Sequence, residues 1–160
     1  MTSAYTINQI KKTLSSLEQE DIVAICLRMA KYKKDNKELL GYLLYESSDE
    51  AGYIEKTIAE MDELFDSLID NGSYKYMKQI RKISRTISKP MKYSGQPATQ
   101  IEILIYFTQK LQTLLKRKRS LTALQNLYMQ QLKKIDTILK KLHEDIQYDY
   151  LKSIEALQQF

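Results

Sequence analysis

Six cations at regular intervals carry the clearest chemistry in this 160-residue chain: Lys75, Lys78, Lys82, Arg85, Lys89 and Lys92 recur every three or four positions. Tyr76, Ile80, Ile83 and Ile87 recur at the same intervals in another phase. At about 100° per residue the two sets lie roughly 160° apart on a helix, giving an apolar side for a core and a basic side facing away from it. A basic face of this kind gathers phosphates, and Tyr74, Tyr76 or Tyr93 offer rings for exposed bases to stack on. Tyr76 itself lies in the apolar stripe and reads as core. The competing explanation is a solvated face, neutralised along its flanks by Glu55, Asp62, Glu63, Asp66 and Asp70 of the preceding helix; an anionic membrane is a third partner for it.

Other candidate groups point to structure before chemistry. Lys116, Arg117, Lys118 and Arg119 fall at the end of a predicted helix, where cations offset the negative end of the helix dipole. Cys26 is the only cysteine, so no intrachain disulfide exists, and its place on an apolar stripe predicts a buried small hydrophobe. His143 precedes Glu144 and Asp145 but has no second histidine or cysteine to complete a zinc site. A di-metal bundle would need two Glu-x-x-His motifs, and the single histidine supplies none. There is no Gly-rich phosphate loop. The sequence thus predicts no catalytic residue, no metal ligand and no cofactor.

The charges are sorted along the chain. Residues 1–70 hold 8 Lys/Arg against 14 Asp/Glu, residues 71–142 hold 16 against 2, and residues 143–160 hold 1 against 4. The mild net charge of +5 therefore hides a strongly basic middle.

The elements that must position these groups are helical. Four glycines and two prolines leave few turns, while Leu, Ile, Lys, Glu and Gln favour helix. Capping-box patterns at Thr6/Gln9, Ser16/Gln19, Asp35/Glu38, Ser47/Glu50 and Thr99/Glu102 mark helix starts. Together with apolar stripes, such as Ile54, Ile58, Met61, Phe65 and Leu68, then Leu104, Phe107, Leu111 and Leu114, and a last series running from Leu121 through Leu124, Tyr128, Leu132 and Ile135 to Leu157, they predict helices near 7–16, 18–33, 36–46, 49–70, 74–89, 98–117 and 121–158. The third, with Leu39, Leu40, Leu43 and Leu44, reads as central, and Gly41 reads as a close helix contact. Pro90 should end or kink the fifth helix near Lys89, leaving 88–99 as a mobile loop. A last helix of that length would extend about 57 Å, against about 40 Å for a compact domain, so it must break, bend or project. The polar residues between Leu142 and Tyr150 are the expected place.

The segments Lys31 to Glu46 and His143 to Tyr150 resemble those of an uncharacterised family of small, all-helical bacterial cytoplasmic proteins. The resemblance implies an all-helical fold and a cytoplasmic location, and no activity. Lys11 and Lys12 interrupt the N-terminal apolar positions, which argues against a secretory signal. The longest wholly apolar run, Ile103 to Phe107, is far too short to cross a bilayer.

The expected architecture is one all-α domain over residues 1–160, an antiparallel bundle of six or seven helices, with HEAT-like hairpins conceivable at the N-terminus. The expected function is non-enzymatic: an interaction or scaffold protein whose partner is another protein or a second copy. The alternative is a nucleic-acid or polyanion-binding module using the face from Lys75 to Lys92, and an enzyme built on unmarked helices stands third.

Overall fold

The computed structural model describes residues 5–159. Every regular element among them is helical: α1 (Ile7–Leu14), α2 (Gln19–Tyr32), α3 (Lys34–Gly41), a π-helical turn (Tyr42–Glu46), α4 (Glu50–Asp66), α5 (Ser73–Ser94), α6 (Pro97–Arg117), α7 (Thr122–Leu139) and α8 (Glu144–Gln158). The predicted all-α class is what the chain adopts. By its contacts the chain divides into two compact units, Met1–Tyr45 and Glu46–Phe160, over the span drawn as one domain from sequence.

The larger unit holds the core. α6 is its central helix, burying Ile101, Ile103, Leu104, Ile105, Phe107 and Leu111, and it packs against α4, α5, α7 and α8. α6 and α7 are joined by four residues, which makes them antiparallel neighbours. Around α6 the predicted stripes close as expected. Met61 and Phe65 come from α4, Tyr76, Ile80, Ile83 and Ile87 from α5, and Leu124, Tyr128 and Ile135 from α7. Two buried hydroxyls are satisfied locally: Thr57 and Thr108 each donate to the carbonyl four residues back.

The break in the C-terminal stripe comes slightly earlier than predicted. α7 stops at Leu139, residues 140–143 turn, and His143 caps α8 by accepting the Asp145 N–H at its Nδ1, 3.4 Å away. The turn brings α8 back over α6 and α7. Its Ile154 and Leu157 enter the core, the Tyr128 hydroxyl donates to the Leu157 carbonyl at 2.6 Å, and Tyr150 donates to Glu102 Oε1 at 2.8 Å. Burial first, and then the Glu102 carboxylate, push the Tyr150 phenol well above its ordinary range. A phenol whose folded pKa exceeds its unfolded one adds stability that is present below about pH 10 and fades as pH rises through the folded value. The stability difference between the native chain and Tyr150→Phe should therefore narrow steadily above pH 10 in denaturant titrations. A constant difference would detach Tyr150 from that titration.

Three sequence expectations need correction. Residues 88–99 are not a loop, because α5 runs through Pro90 to Ser94 and α6 begins at Pro97. Proline already has helical φ, and its missing N–H bond and the crowding of its ring against the carbonyl four residues back cost the helix stability without ending it here. The last turn is held by Gln100 Nε2 donating to the Met91 carbonyl at 3.1 Å and is closed by Gly95, whose φ of 65° suits only glycine well. The capping boxes are also fewer than the pattern suggests. Thr6 and Gln9 bond reciprocally, but α2 and α3 start at Gln19 and Lys34 without side-chain caps, and α4 is capped by Asp49. The Thr99 hydroxyl instead donates to Glu50 Oε2 at 2.5 Å, a partner 49 residues away.

The third correction concerns the smaller unit. Among its described residues none of α1, α2 or α3 is fully buried, and only Tyr42 in the π-helical turn is. α3 is therefore not central: Leu39, Leu43 and Leu44 are exposed, and open space surrounds Gly41. Cys26 is half-buried, not a core residue. α2 and α3 do pack together, fixed at their corner by Asn36 Nδ2 donating to the Met29 carbonyl at 2.9 Å.

Candidate functional site

α5 places the predicted stripe as its spacing required. Tyr76, Met77, Ile80, Ile83 and Ile87 are buried, while Lys75, Lys78, Lys82, Arg85 and Lys92 are exposed on the other side. Lys89 is half-buried and has contacts of its own. Arg81, outside the three/four series, is exposed as well and widens the face. Tyr74 is 78% exposed at the start of the helix.

The flanking carboxylates do not neutralise this face. Among the described residues no ion pair engages Lys75, Lys78, Lys82, Arg85 or Lys92, and the two acids singled out here, Asp62 and Asp70, pair elsewhere. Asp62 sits 2.6 Å from Lys110 and accepts from the Tyr106 hydroxyl at 2.8 Å. The Lys110 ammonium, as the largest influence, holds the Asp62 carboxyl below the usual carboxylate range. Asp70 pairs at 2.5 Å with Lys118, which also lies 4.8 Å from the Tyr76 ring centre. Lys118 thus joins the end of α6 to the start of α5, a structural use that the dipole argument for the 116–119 cluster did not foresee. Five cations of this helix with no ion pair among the described residues leave its exposed face attractive to an anion.

The basic surface continues beyond α5. α5 and α7 both pack on α6, and between them opens a groove of about 360 Å³ whose apolar surface comes largely from Met91, Leu104 and Ile138. Its cationic lining is Lys92 from α5 with Lys133 and Lys134 from α7, and no ion pair engages any of the three among the described residues. Sequence reasoning missed Lys133 and Lys134. They count toward the basic middle of the chain, but only the packing of α7 on α6 sets them across a groove from Lys92.

The groups weighed for catalysis have structural places. His143 is the N-cap of α8, and Cys26 lines a concavity of about 140 Å³ with Met29, Leu39 and Leu43 in the smaller unit. Among the described residues no three His, Cys, Asp or Glu side chains are grouped to hold a metal ion, and no helix is long and apolar enough to cross a membrane. No family model, curated protein or solved structure matches the chain.

Proposed function

We propose that the protein is a non-enzymatic interaction protein that self-associates through the apolar faces of α1–α3. The carrying observation is the width of the apolar band on α2. Ile22, Cys26 and Ala30 form its half-buried midline, while Val23 and Leu27 on one flank and Ile25 and Met29 on the other are exposed by 39–57%. The flanks lie about 80° to either side of the midline, a width that belongs to a helix covered on several sides. Ile7 and Ile10 of α1 and Leu39, Leu43 and Leu44 add further exposed apolar surface. Exposed apolar side chains in this number are what an interface presents before its partner arrives. The small concavity beside Cys26 can accept one apolar side chain as an anchor.

A second copy is the occupant that charge favours. Residues 1–45 carry seven Lys/Arg and five Asp/Glu, a net +2 with both signs interspersed, so two copies repel only weakly. Self-pairing of one patch on a two-fold axis is also the commonest form of assembly. Sedimentation of the full chain at micromolar concentrations should show a dimer or higher oligomer, and Val23→Glu combined with Leu27→Glu should return it to monomer with unchanged helix content, since both side chains are already exposed. A wild-type monomer at about 100 μM would end the self-association reading and leave a different protein as the partner.

A second reading, binding of nucleic acid or another polyanion along α5, is favoured by one specific observation: Lys75, Lys78, Lys82, Arg85 and Lys92 have no ion-pair partner among the described residues. Its test depends on salt.

A further inference from the structure

We infer that the groove between α5 and α7 is a binding site for a single-chain anionic amphiphile, a molecule with a carboxylate or comparable anionic head and an apolar body. Its volume of about 360 Å³ falls at the lower end of the range of small-molecule sites. The polar groups in the lining are engaged with the protein itself. Ser88 Oγ donates to the Ser84 carbonyl at 2.8 Å, Thr137 Oγ1 to the Lys133 carbonyl at 2.9 Å, and Gln100 Nε2 to the Met91 carbonyl at 3.1 Å. What the groove mainly offers a guest is therefore of two kinds. One is the apolar surface of Met91, Leu104 and Ile138; the other is the ammonium groups of Lys92, Lys133 and Lys134.

No carboxylate lines the groove, so nothing there balances the three ammonium groups. A neutral apolar guest would leave them unanswered, and a fully hydrophilic anion would leave the apolar surface wet. An amphiphilic anion satisfies both, with its head between Lys92 and the pair on α7 and its chain against the surface of α6. Lys92 is shared with the α5 stripe, but Lys133, Lys134 and Thr137 lie on another helix, so the site can be tested apart from polynucleotide binding.

The test is calorimetric titration of the full chain with decanoate, below its micelle concentration, against decyltrimethylammonium and acetate. Decanoate should bind with one-to-one stoichiometry, and decyltrimethylammonium and acetate should each bind at least tenfold more weakly. Replacing Lys92, Lys133 and Lys134 together with Ala should weaken decanoate at least tenfold. Thr137→Trp, a change at an exposed position that fills the groove, should weaken it comparably while leaving the melting temperature and any polynucleotide affinity unchanged. Equal binding of the anionic and cationic chains, or indifference to Thr137→Trp, would overturn the site. Binding to vesicles of anionic phospholipid without binding of monomeric decanoate would overturn it too, replacing the groove by a membrane-facing surface.

Discussion

Phe107→Ala should lower the stability of the larger unit by about 3–5 kcal/mol, the cost typical of emptying a buried aromatic site. Phe107 is fully buried near the middle of α6, with its ring centre 5.8 Å from that of Phe65 on α4 at a tilt of 49°. The substitution removes this ring pair and leaves a cavity at the place where α6 meets α4. Domains hold only about 5–15 kcal/mol in total, so a large share of the folding free energy is at stake. For a unit of this size the melting midpoint should fall by roughly 10–20 °C. Ile69→Ala is the matching control: its side chain is 64% exposed, and the change should stay within about 0.5 kcal/mol. Similar losses at both positions in denaturant unfolding would mean that the core has been misplaced.

The second large effect is electrostatic. If α5 binds a polyanion through Lys75, Lys78, Lys82, Arg85 and Lys92, each neutralised phosphate releases condensed counterion, giving a log–log salt slope near −0.9 per contact on duplex and −0.7 on single strands. Five contacts on duplex give a slope of about −4.5, or roughly a 500-fold loss of affinity between about 50 and 200 mM salt. Replacing Lys78, Lys82 and Arg85 with Ala should weaken binding across sequences and flatten that slope by about two to three units, because three of the five contacts disappear. Dichroism should be unchanged, since all three side chains are exposed. Absence of binding to mixed-sequence DNA or RNA at about 50 mM salt and micromolar protein would dispose of the polyanion reading and leave a solvated face.

Local periodicity made the larger unit readable. The stripes of α5 and α6 name residues that are mostly buried together, that of α4 places Met61 and Phe65 in the core with Ile54 and Ile58 half-buried, and the opposition of basic and apolar faces on α5 follows from spacing alone. Periodicity failed where the answer depends on a distant partner. Thr99 has the spacing of a helix cap, yet Glu50 takes its hydroxyl, a pairing that no local pattern encodes. The stripe from Leu121 to Leu157 runs on through residues 140–143 because it records which side faces the core, and two helices meeting at a turn can share one side. Val23, Leu27 and Met29 show a further limit: an apolar band demands cover without specifying which molecule supplies it. The groove escaped notice for a related reason, since its cations belong to helices that meet only through α6.

The placement of the main core cluster after residue 60 also sets an order of events on the ribosome. The core is closed by Ile154 and Leu157, so α4–α7 cannot be sealed until α8 has been made. At about 5–20 residues per second, the hundred or so residues between α3 and the end of α8 take on the order of 5–20 s to add. For the later part of that interval the apolar band of α1–α3 is outside the exit tunnel, tethered to a chain with no finished interior to compete for it. On the proposed self-association, the band is open to a companion before the core closes: a neighbouring copy on the same message, or a chaperone that holds the band until one arrives.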